Sequence, residues 1–224
     1  MLRLALYLEC APAAIACGKV GAMNASQRAR SFSIVASAFL AASLANPATR
    51  QPPKGGSWLD KLDNGVPNWN HAGSAVPKAP PGDPANRERC KDLLRPPSGV
   101  HDRALIAEGW WLYGPLQRFG RTVVVTGASD LDGMCRPLGF QAFVFFDRKF
   151  AGTLSPVPMN ARADGPQSRF FLSRERSVSS EYARYSKDDP LCCPSAVATV
   201  EFQIEDKPNG PLVVPATVSV PLSR

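Results

Sequence analysis

Residues 199–205 read Thr-Val-Glu-Phe-Gln-Ile-Glu, and this stretch indicates the fold more directly than any other. Val200, Phe202 and Ile204 alternate with polar residues, and successive side chains of a β-strand point to opposite faces of its sheet. The alternation therefore predicts a strand with one buried face and one solvated face.

The residues after this strand predict an antiparallel partner for it. Residues 207–210 read Lys-Pro-Asn-Gly, which places Pro and Gly at positions favoured in a turn. Residues 212–220 return as the partner strand. Pro215 within them indicates a sheet edge or a bulge, because proline has no N–H to donate to a ladder.

Upstream segments complete an α+β fold, an antiparallel β-sheet with a few short helices on one side. The apolar residues 142–146 are expected at the centre of the sheet, and a tight turn at 147–148 makes them a hairpin with residues 149–154. Asn86 and Asp102 are expected to cap the two helices. The remaining elements are strands over 121–126, 169–173 and 178–185 and helices over 86–94 and 102–108.

Proline usage divides the chain. Of the 22 prolines, ten lie within residues 46–100, and eleven lie within the much longer stretch 101–224. This composition predicts a Pro-rich arm with one short helix over 46–100 and the sheet domain over 101–224. Trp58 and Trp69 in the otherwise polar arm indicate that the arm packs onto the domain.

Residues 1–45 have the order of segments found in an export signal. Arg28 and Arg30 precede an uncharged run over residues 32–45, which ends in the small residues Ser-Leu-Ala of a cleavage site. The run is shorter than the roughly 20 apolar residues of a membrane span. Met23 lies just before the basic residues, so we expect the true start near Met23 and removal of the leader.

The cysteines agree with export. Cys10 and Cys17 lie in the leader. Cys17 follows a loose match to a lipidation motif, but Glu9 interrupts the apolar stretch before it, so we rank lipidation there below cleavage. An even number of cysteines in an exported chain indicates disulfides. Zinc ligands usually come in pairs spaced two to four residues apart, and the four cysteines after the leader are spaced by 45, 57 and 1 residues, so no metal is expected. The expected disulfide cysteines are Cys90, Cys135, Cys192 and Cys193.

The connectivity of these cysteines stays open between two pairings. A bond between neighbouring residues closes a small ring and distorts the peptide between them, so we discount a Cys192–Cys193 bridge. We expect Cys192 to bond to Cys90 or Cys135 and Cys193 to bond to the other. One of the two bridges would then tie the helix of the arm to the domain.

Charge and motifs exclude several function classes. The net charge is +7, and +4 without the leader, with no run of five or six basic residues, so a nucleic-acid partner is not expected. His71 and His101 are the only histidines, so a Ser or Cys nucleophile would lack its usual base. No nucleotide-binding or zinc-protease motif is present. We predict no catalytic residue and no cofactor, which favours a protein other than an enzyme.

The densest cluster of aromatic and charged residues lies over 181–189. One interpretation is a polar recognition surface, and the more common one is a turn closed by Asp189 and Pro190. Trp110 and Trp111 present a similar choice, because in a strand one ring faces the core and the other faces outward or lies under the arm. The candidate binding surface comprises Trp110, Trp111, Tyr182, Arg184 and Tyr185.

Three strings carry a resemblance to a known family. Residues 132–137 read Asp-Gly-Met-Cys-Arg-Pro, the hairpin over 143–152 is followed by Thr-Leu-Ser-Pro, and residues 189–195 read Asp-Pro-Leu-Cys-Cys-Pro-Ser. With these strings, residues 68–206 resemble the LppP/LprE family of bacterial exported lipoproteins. The adjacent cysteines are the most specific part of the resemblance.

The resemblance implies an exported protein of the envelope or the medium, often lipid-anchored, with no established enzymatic activity. The leader departs from the family, because no clean lipobox precedes a cysteine near residues 40–50. We predict a periplasmic or secreted protein that binds a protein or an envelope component and reaches the membrane only through a lipid anchor. The alternatives are a hydrolase, which a deep pocket with converging polar groups would favour, and a carrier of a small apolar ligand, which needs an internal cavity.

The first testable prediction concerns the mature N-terminus. Cleavage after residues 43–45 should give an exported protein that begins near Asn46. The intact mass of protein isolated from the envelope fraction or the medium measures this directly. Retention of residues 32–45, or a diacylglycerol adduct on Cys17, would contradict the prediction.

Overall fold

The computed structural model describes residues 57–60, 67–190 and 192–219. The predicted leader, with Cys10, Cys17 and Met23, lies outside the described residues, so its start and cleavage stay predictions. Two α-helices are described, α1 (Pro84–Arg89) and α2 (Val100–Ala107). The described strands are β1 (Trp111–Leu112), β2 (Gln117–Phe119), β3 (Thr122–Ala128), β4 (Asp130–Leu131), β5 (Pro137–Leu138), β6 (Gln141–Phe146), β7 (Lys149–Thr153), β8 (Gln167–Arg174), β9 (Ser177–Arg184), β10 (Ala196–Lys207) and β11 (Gly210–Ser219).

The strands form two main antiparallel sheets. The first has the order β1-β3-β6-β7, with β2 also paired to β3, and the second has the order β11-β10-β9-β8. Val144 of the first sheet and Phe202 of the second belong to the main core between them. On the other face of the first sheet, Leu105 of α2 packs with Phe143 in a second core. These observations confirm the predicted antiparallel fold with a few short helices.

Strand β6 is the central strand that the sequence predicts. It lies between β3 and β7, and all its residues are buried, because its two faces pack into different cores. The hairpin to β7 turns at Asp147 and Arg148, whose φ angles are 47° and 65°. Two-residue hairpin turns of type I′ require positive φ at both central residues, so this turn has the geometry of that tight connection.

Strand β10 confirms the alternation read from residues 199–205. Val200, Phe202 and Ile204 are buried, whereas the polar residues between them are half-buried or exposed. Strand β11 is an edge strand, and its register with β10 shifts at Phe202, which lies opposite Pro215. Pro215 therefore lies at a sheet edge and beside a bulge, as its missing N–H predicts.

Helix α1 begins earlier than the sequence indicates, and its cap is a different residue. Asp83 is the N-cap, and its carboxylate accepts a hydrogen bond from the Ala85 N–H at 2.9 Å. The expected cap, Asn86, lies inside the helix and donates instead to the Asp130 carboxylate of β4 at 3.0 Å. The side chain of Asn86 is thus used to dock the helix on the domain.

The disulfide connectivity predicted from the sequence is wrong. Cys90 at the end of α1 is bonded to Cys135 in the loop between β4 and β5, and Cys192 is bonded to Cys193. The docking of α1 on β4 brings the Cα atoms of Cys90 and Cys135 to 5.5 Å, within the range of disulfides. A bridge does tie the arm helix to the domain, but its partner is Cys135.

Residues 67–70 of the arm join the edge strands of the two sheets. The Asn70 Nδ2 donates to the carbonyl oxygens of Thr153 in β7, at 3.0 Å, and of Val213 in β11, at 3.1 Å. The Thr153 N–H donates back to the Asn70 Oδ1 at 2.9 Å. Gly152 has a φ of 144°, and a Cβ there would overlap the Asn70 amide. The glycine therefore makes room for the arm.

The arm tryptophans pack onto the main core, as the sequence predicts. The rings of Trp58 and Trp69 meet edge to face at 5.2 Å. Trp58 also contacts Tyr182 at 5.1 Å, and Trp69 contacts Phe202 at 6.0 Å. The Trp69 Nε1 donates to the Thr153 hydroxyl at 3.1 Å. The arm thus supplies part of the apolar core, although its boundary at residue 100 stays a prediction.

The second testable prediction is that the Asn70 amide stabilises the fold. Asn70→Ala should lower the free energy of unfolding by about 2–4 kcal/mol, because it leaves buried backbone groups of β7 and β11 without partners. Asn70→Asp, which keeps the shape but loses both donors, should cost at least as much. Chemical denaturation measures the change.

The control for this series is His71→Ala, which alters the exposed neighbour of Asn70. It should change the free energy of unfolding by less than about 0.5 kcal/mol. An Asn70→Ala protein as stable as the His71→Ala protein would show that the amide bridge does not stabilise the two sheets.

Candidate functional site

A cleft of about 470 Å³ opens between the two sheets, where β2 and β3 face β8 and β9. Its apolar wall includes the buried side chains of Phe140, Phe170 and Ala183 and the half-buried Tyr113. The volume lies within the range of small-ligand sites, roughly 300–1,000 Å³. The cleft can therefore hold the apolar part of a small molecule.

Local pairing fixes the two phenylalanines of the cleft. Phe140 forms an isolated antiparallel bridge with Met159, in which each N–H donates to the other residue's carbonyl at 2.8 Å. Phe170 is the buried residue of β8, whereas its neighbour Phe171 is 44% exposed. The guanidinium of Arg169 lies 5.2 Å from the Phe171 ring. Phe170 therefore faces the cleft while Phe171 faces solvent.

Two amide side chains order the polar part of the cleft. The Gln117 Nε2 donates to the Phe170 carbonyl at 3.3 Å, which connects β2 of the first sheet to β8 of the second. The Gln167 Nε2 donates to the Ser180 hydroxyl at 2.6 Å. These bonds fix both amides along the wall of the cleft.

Arg162 brings a positive charge to the mouth of the cleft. It lines the cleft from an exposed position in the loop between β7 and β8, with a φ of 67°. Within the described part of the chain it has no ion-pair or hydrogen-bond partner. The other lining arginine, Arg169, is bonded to the Glu181 carboxylate at 2.5 Å. Of the two arginines that line the cleft, Arg162 is thus the one that pairs with no carboxylate among the described residues.

The two tryptophans of the predicted binding surface are buried, which corrects that prediction for them. Trp110 is 1% exposed and its Nε1 donates to the Pro77 carbonyl of the arm at 2.7 Å. Trp111 is 8% exposed and packs with Cys90 under α1. The guanidinium of Arg87 lies 5.6 Å from the Trp111 ring. The arm covers both rings, which was the simpler of the two interpretations.

The other three residues of that surface also do not form an exposed patch together. Tyr182 is fully buried and donates to the Leu154 carbonyl, and its burial raises the pKa of the Tyr182 hydroxyl. Arg184 is paired with Asp164 at 3.1 Å and with Asp60 of the arm. The Tyr185 N–H donates to the same Asp164 carboxylate at 2.8 Å. The five predicted residues therefore lie in four separate environments.

The two histidines lie in different surroundings. His71 is exposed in the arm. His101 is buried in α2 with its ring centroid 4.9 Å from that of Phe145, and its Nε2 has no hydrogen-bond partner among the described residues. Burial lowers the pKa of His101, and the nearby Arg118 charge lowers it further. His101 thus packs against the core beside Phe145.

Asp102 is not a helix cap but the centre of a buried ion pair. Its side chain is fully buried and accepts two hydrogen bonds from the Arg95 guanidinium, at 2.6 and 2.7 Å. The N–H and hydroxyl of Ser98 donate to it at 2.7 and 2.8 Å. Burial alone would raise the pKa of Asp102, but the hydrogen bonds from Arg95 and Ser98 outweigh it and lower the pKa to about 2.

Sequence reasoning did not identify the cleft residues Phe140, Arg162 and Gln167. They come from irregular segments and from the end of a strand, where neither alternation nor a motif points to them. The usable signal was the stretch 156–166, which contains three prolines and a glycine between two predicted strands. Such a long connection is where binding residues concentrate.

Among the described residues, no three His, Cys, Asp or Glu side chains are arranged to hold a metal ion. Among the helices described, none has the length and apolar character to cross a membrane.

Comparison with known proteins identifies a related family for part of the chain. Residues 118–207 match the family model described as LppP/LprE lipoprotein. Over that segment the chain matches the LppP/LprE lipoprotein family. No curated protein and no solved structure matches the chain.

The LppP/LprE match confirms the family that the three sequence strings indicate. It begins later than the resemblance over residues 68–206 and runs from β2 to the end of β10. The cleft residues Phe140, Arg162 and Phe170 lie within it, whereas the arm lies outside it. A lipoprotein family implies an exported, membrane-anchored envelope protein.

The third testable prediction concerns acid stability. The pKa of Asp102 falls from 3.8 to about 2 on folding, so its charge stabilises the protein above pH 3.8, and this contribution disappears as the pH falls through about 2. At pH 7, Asp102→Asn should therefore lower the free energy of unfolding by about 2 kcal/mol. Between about pH 4 and pH 2, the free energy of unfolding of this variant should fall less steeply than that of the unaltered protein.

Denaturation at a series of pH values measures the effect of Asp102→Asn. The matched control is Asp92→Asn, which alters an exposed carboxylate of the preceding 3-10 helix, Lys91–Leu93. It should change stability by less than about 0.5 kcal/mol. Parallel pH profiles for Asp102→Asn and the unaltered protein would show that the ion pair does not cause the acid sensitivity.

Proposed function

We propose that this LppP/LprE-family protein is a non-catalytic envelope protein that binds an anionic amphipathic envelope component in the cleft between its sheets. The observation that carries the proposal is the position of Arg162 at the mouth of an apolar cleft. An apolar wall beside a cation without a carboxylate partner fits a ligand with an apolar body and a negatively charged group.

The apolar part of the ligand would lie against Phe140, Phe170 and Tyr113. Removing apolar surface from water is the main favourable contribution to binding in such a cleft. The volume of about 470 Å³ admits a part of a lipid or a similar small apolar group. The proposed ligand thus combines the envelope component of the main sequence-based prediction with the small apolar ligand of its carrier alternative.

The charged part of the ligand would meet Arg162. A guanidinium presents a planar set of N–H donors that matches a carboxylate or a phosphate with two parallel hydrogen bonds. Arg169 is engaged by Glu181 and lies on the Phe171 ring, so it is less available to a ligand. Arg162 is therefore the residue that would select an anionic ligand over a neutral one.

The composition of the cleft supports binding rather than hydrolysis. Among the described lining residues there is no histidine, cysteine or carboxylate that could act as a general base or nucleophile beside the ligand. Ser168 lines the cleft, but its hydroxyl donates to the Glu181 carbonyl at 3.1 Å. The lining residues thus offer contacts and charge, and no activated nucleophile.

The fourth testable prediction uses the fluorescent fatty acid cis-parinaric acid, which has one carboxylate, and its neutral alcohol analogue as probes. The protein should bind the acid, and Arg162→Gln should weaken that binding about tenfold, because a hydrogen bond to a charged group is lost. Binding of the alcohol should be the same for both proteins. Fluorescence titration measures both affinities.

The matched control is Arg174→Gln, which removes a charge from β8 at a residue outside the lining of the cleft. It should leave the affinity for the acid within about twofold, since an exposed charge at a distance is screened. Absence of binding, or equal weakening by Arg162→Gln and Arg174→Gln, would contradict the proposed function.

A further inference from the structure

The connection between β9 and β10 contains an exposed disulfide between neighbouring residues. Cys192 and Cys193 are bonded to each other, and both are exposed. The second disulfide differs, because Cys90 is 2% exposed and packs with Trp111 and Leu131 in a small core. Both sulfurs of the Cys192–Cys193 bond are therefore open to a reductant in solution, whereas in the Cys90–Cys135 bond Cys90 is buried and Cys135 is half-buried.

The exposed disulfide does not hold distant parts of the fold together. The stabilisation that a disulfide provides grows with the length of chain that it closes. The Cys90–Cys135 bond closes a separation of 45 residues, whereas Cys192 and Cys193 are adjacent. Strands β9 and β10 are joined by a ladder that extends from the pair Arg184–Ala196 to the pair Ser177–Gln203. The hairpin is thus held by its backbone.

The turn around the two cysteines is also ordered independently of their bond. The Asp189 carboxylate accepts hydrogen bonds from the Ser186 N–H at 2.7 Å, the Ser186 hydroxyl at 2.6 Å and the Ser195 N–H at 2.9 Å. The Cys193 N–H donates to the Pro190 carbonyl at 2.9 Å. These contacts connect both ends of the turn, so the sulfurs stay close to each other when their bond opens.

From the exposure of this disulfide, the absence of a structural role for it and the ordered turn, we propose that Cys192 and Cys193 form a redox site. The site exchanges two electrons with a dithiol partner by thiol–disulfide exchange. It is independent of the cleft and of the ligand proposed for it.

The reaction proceeds in two steps. A thiolate of the dithiol partner attacks one sulfur of the Cys192–Cys193 bond, which forms a mixed disulfide and releases the other cysteine as a thiolate that takes up a proton. The second thiol of the partner then attacks the mixed disulfide and releases the second cysteine. The partner is oxidised to a disulfide, and Cys192 and Cys193 are reduced to two thiols. The reverse reaction oxidises them again.

The fifth testable prediction uses dithiothreitol as the dithiol. The full-length exported protein is equilibrated in buffers with increasing ratios of reduced to oxidised dithiothreitol, quenched with acid, alkylated and analysed by peptide mapping under non-reducing conditions. Cys192–Cys193 should be half reduced at a ratio roughly tenfold or more below that for Cys90–Cys135, because exposed disulfides are the more reducible ones. Oxidised dithiothreitol should restore the bond.

Paired variants separate a redox role from a structural one. Cys192→Ser with Cys193→Ser should fold with an unchanged thermal midpoint, whereas Cys90→Ser with Cys135→Ser should lower it. Reduction of both disulfides at the same ratio, reduction of Cys90–Cys135 first, or failure to reform the exposed bond would overturn the proposal. Failure of the Cys192→Ser, Cys193→Ser protein to fold would overturn it as well, because the bond would then be structural.

Discussion

The side-chain amide of Asn70 is the interaction on which the arrangement of the two sheets depends. Strands β7 and β11 each end a sheet, and the backbone groups at such an edge need partners when they are buried. Asn70 donates to a carbonyl of each strand and accepts from one of them, as a residue of an intervening strand would. The two sheets are thereby closed along one side around a shared core.

The other ends of the same sheets are joined more loosely. There β2 and β8 meet through the side chain of Gln117, and the space between the sheets remains open as the cleft. The pair of sheets is therefore closed along one side and open at the other. The arm fills the first with Asn70 and Trp69, while Arg162 lies at the mouth of the second.

The features that could be predicted from the sequence are those set by neighbouring residues. The alternation over residues 199–205 and the turn at 147–148 are local, and both are confirmed. The cap of α1 was a local signal that sequence reasoning missed, because Asp83 followed by Pro84 at the first helical position is typical of a helix start. The partner of Cys90 and the burial of Trp111 depend on how the arm docks on the domain, which no local pattern records. Arg162 and Phe140 reach the cleft through irregular segments, where composition indicates a loop but not what it approaches.

The bridging position of Asn70 also bears on how the chain can be shortened. A fragment cut to the family-matching residues 118–207 would lack both the arm and β11. It would present β7 and β10 as open strands beside uncovered apolar residues, and such edges recruit further chains into extended sheets. The family-matching segment therefore depends on the arm and on β11 to cover the edges of its sheets.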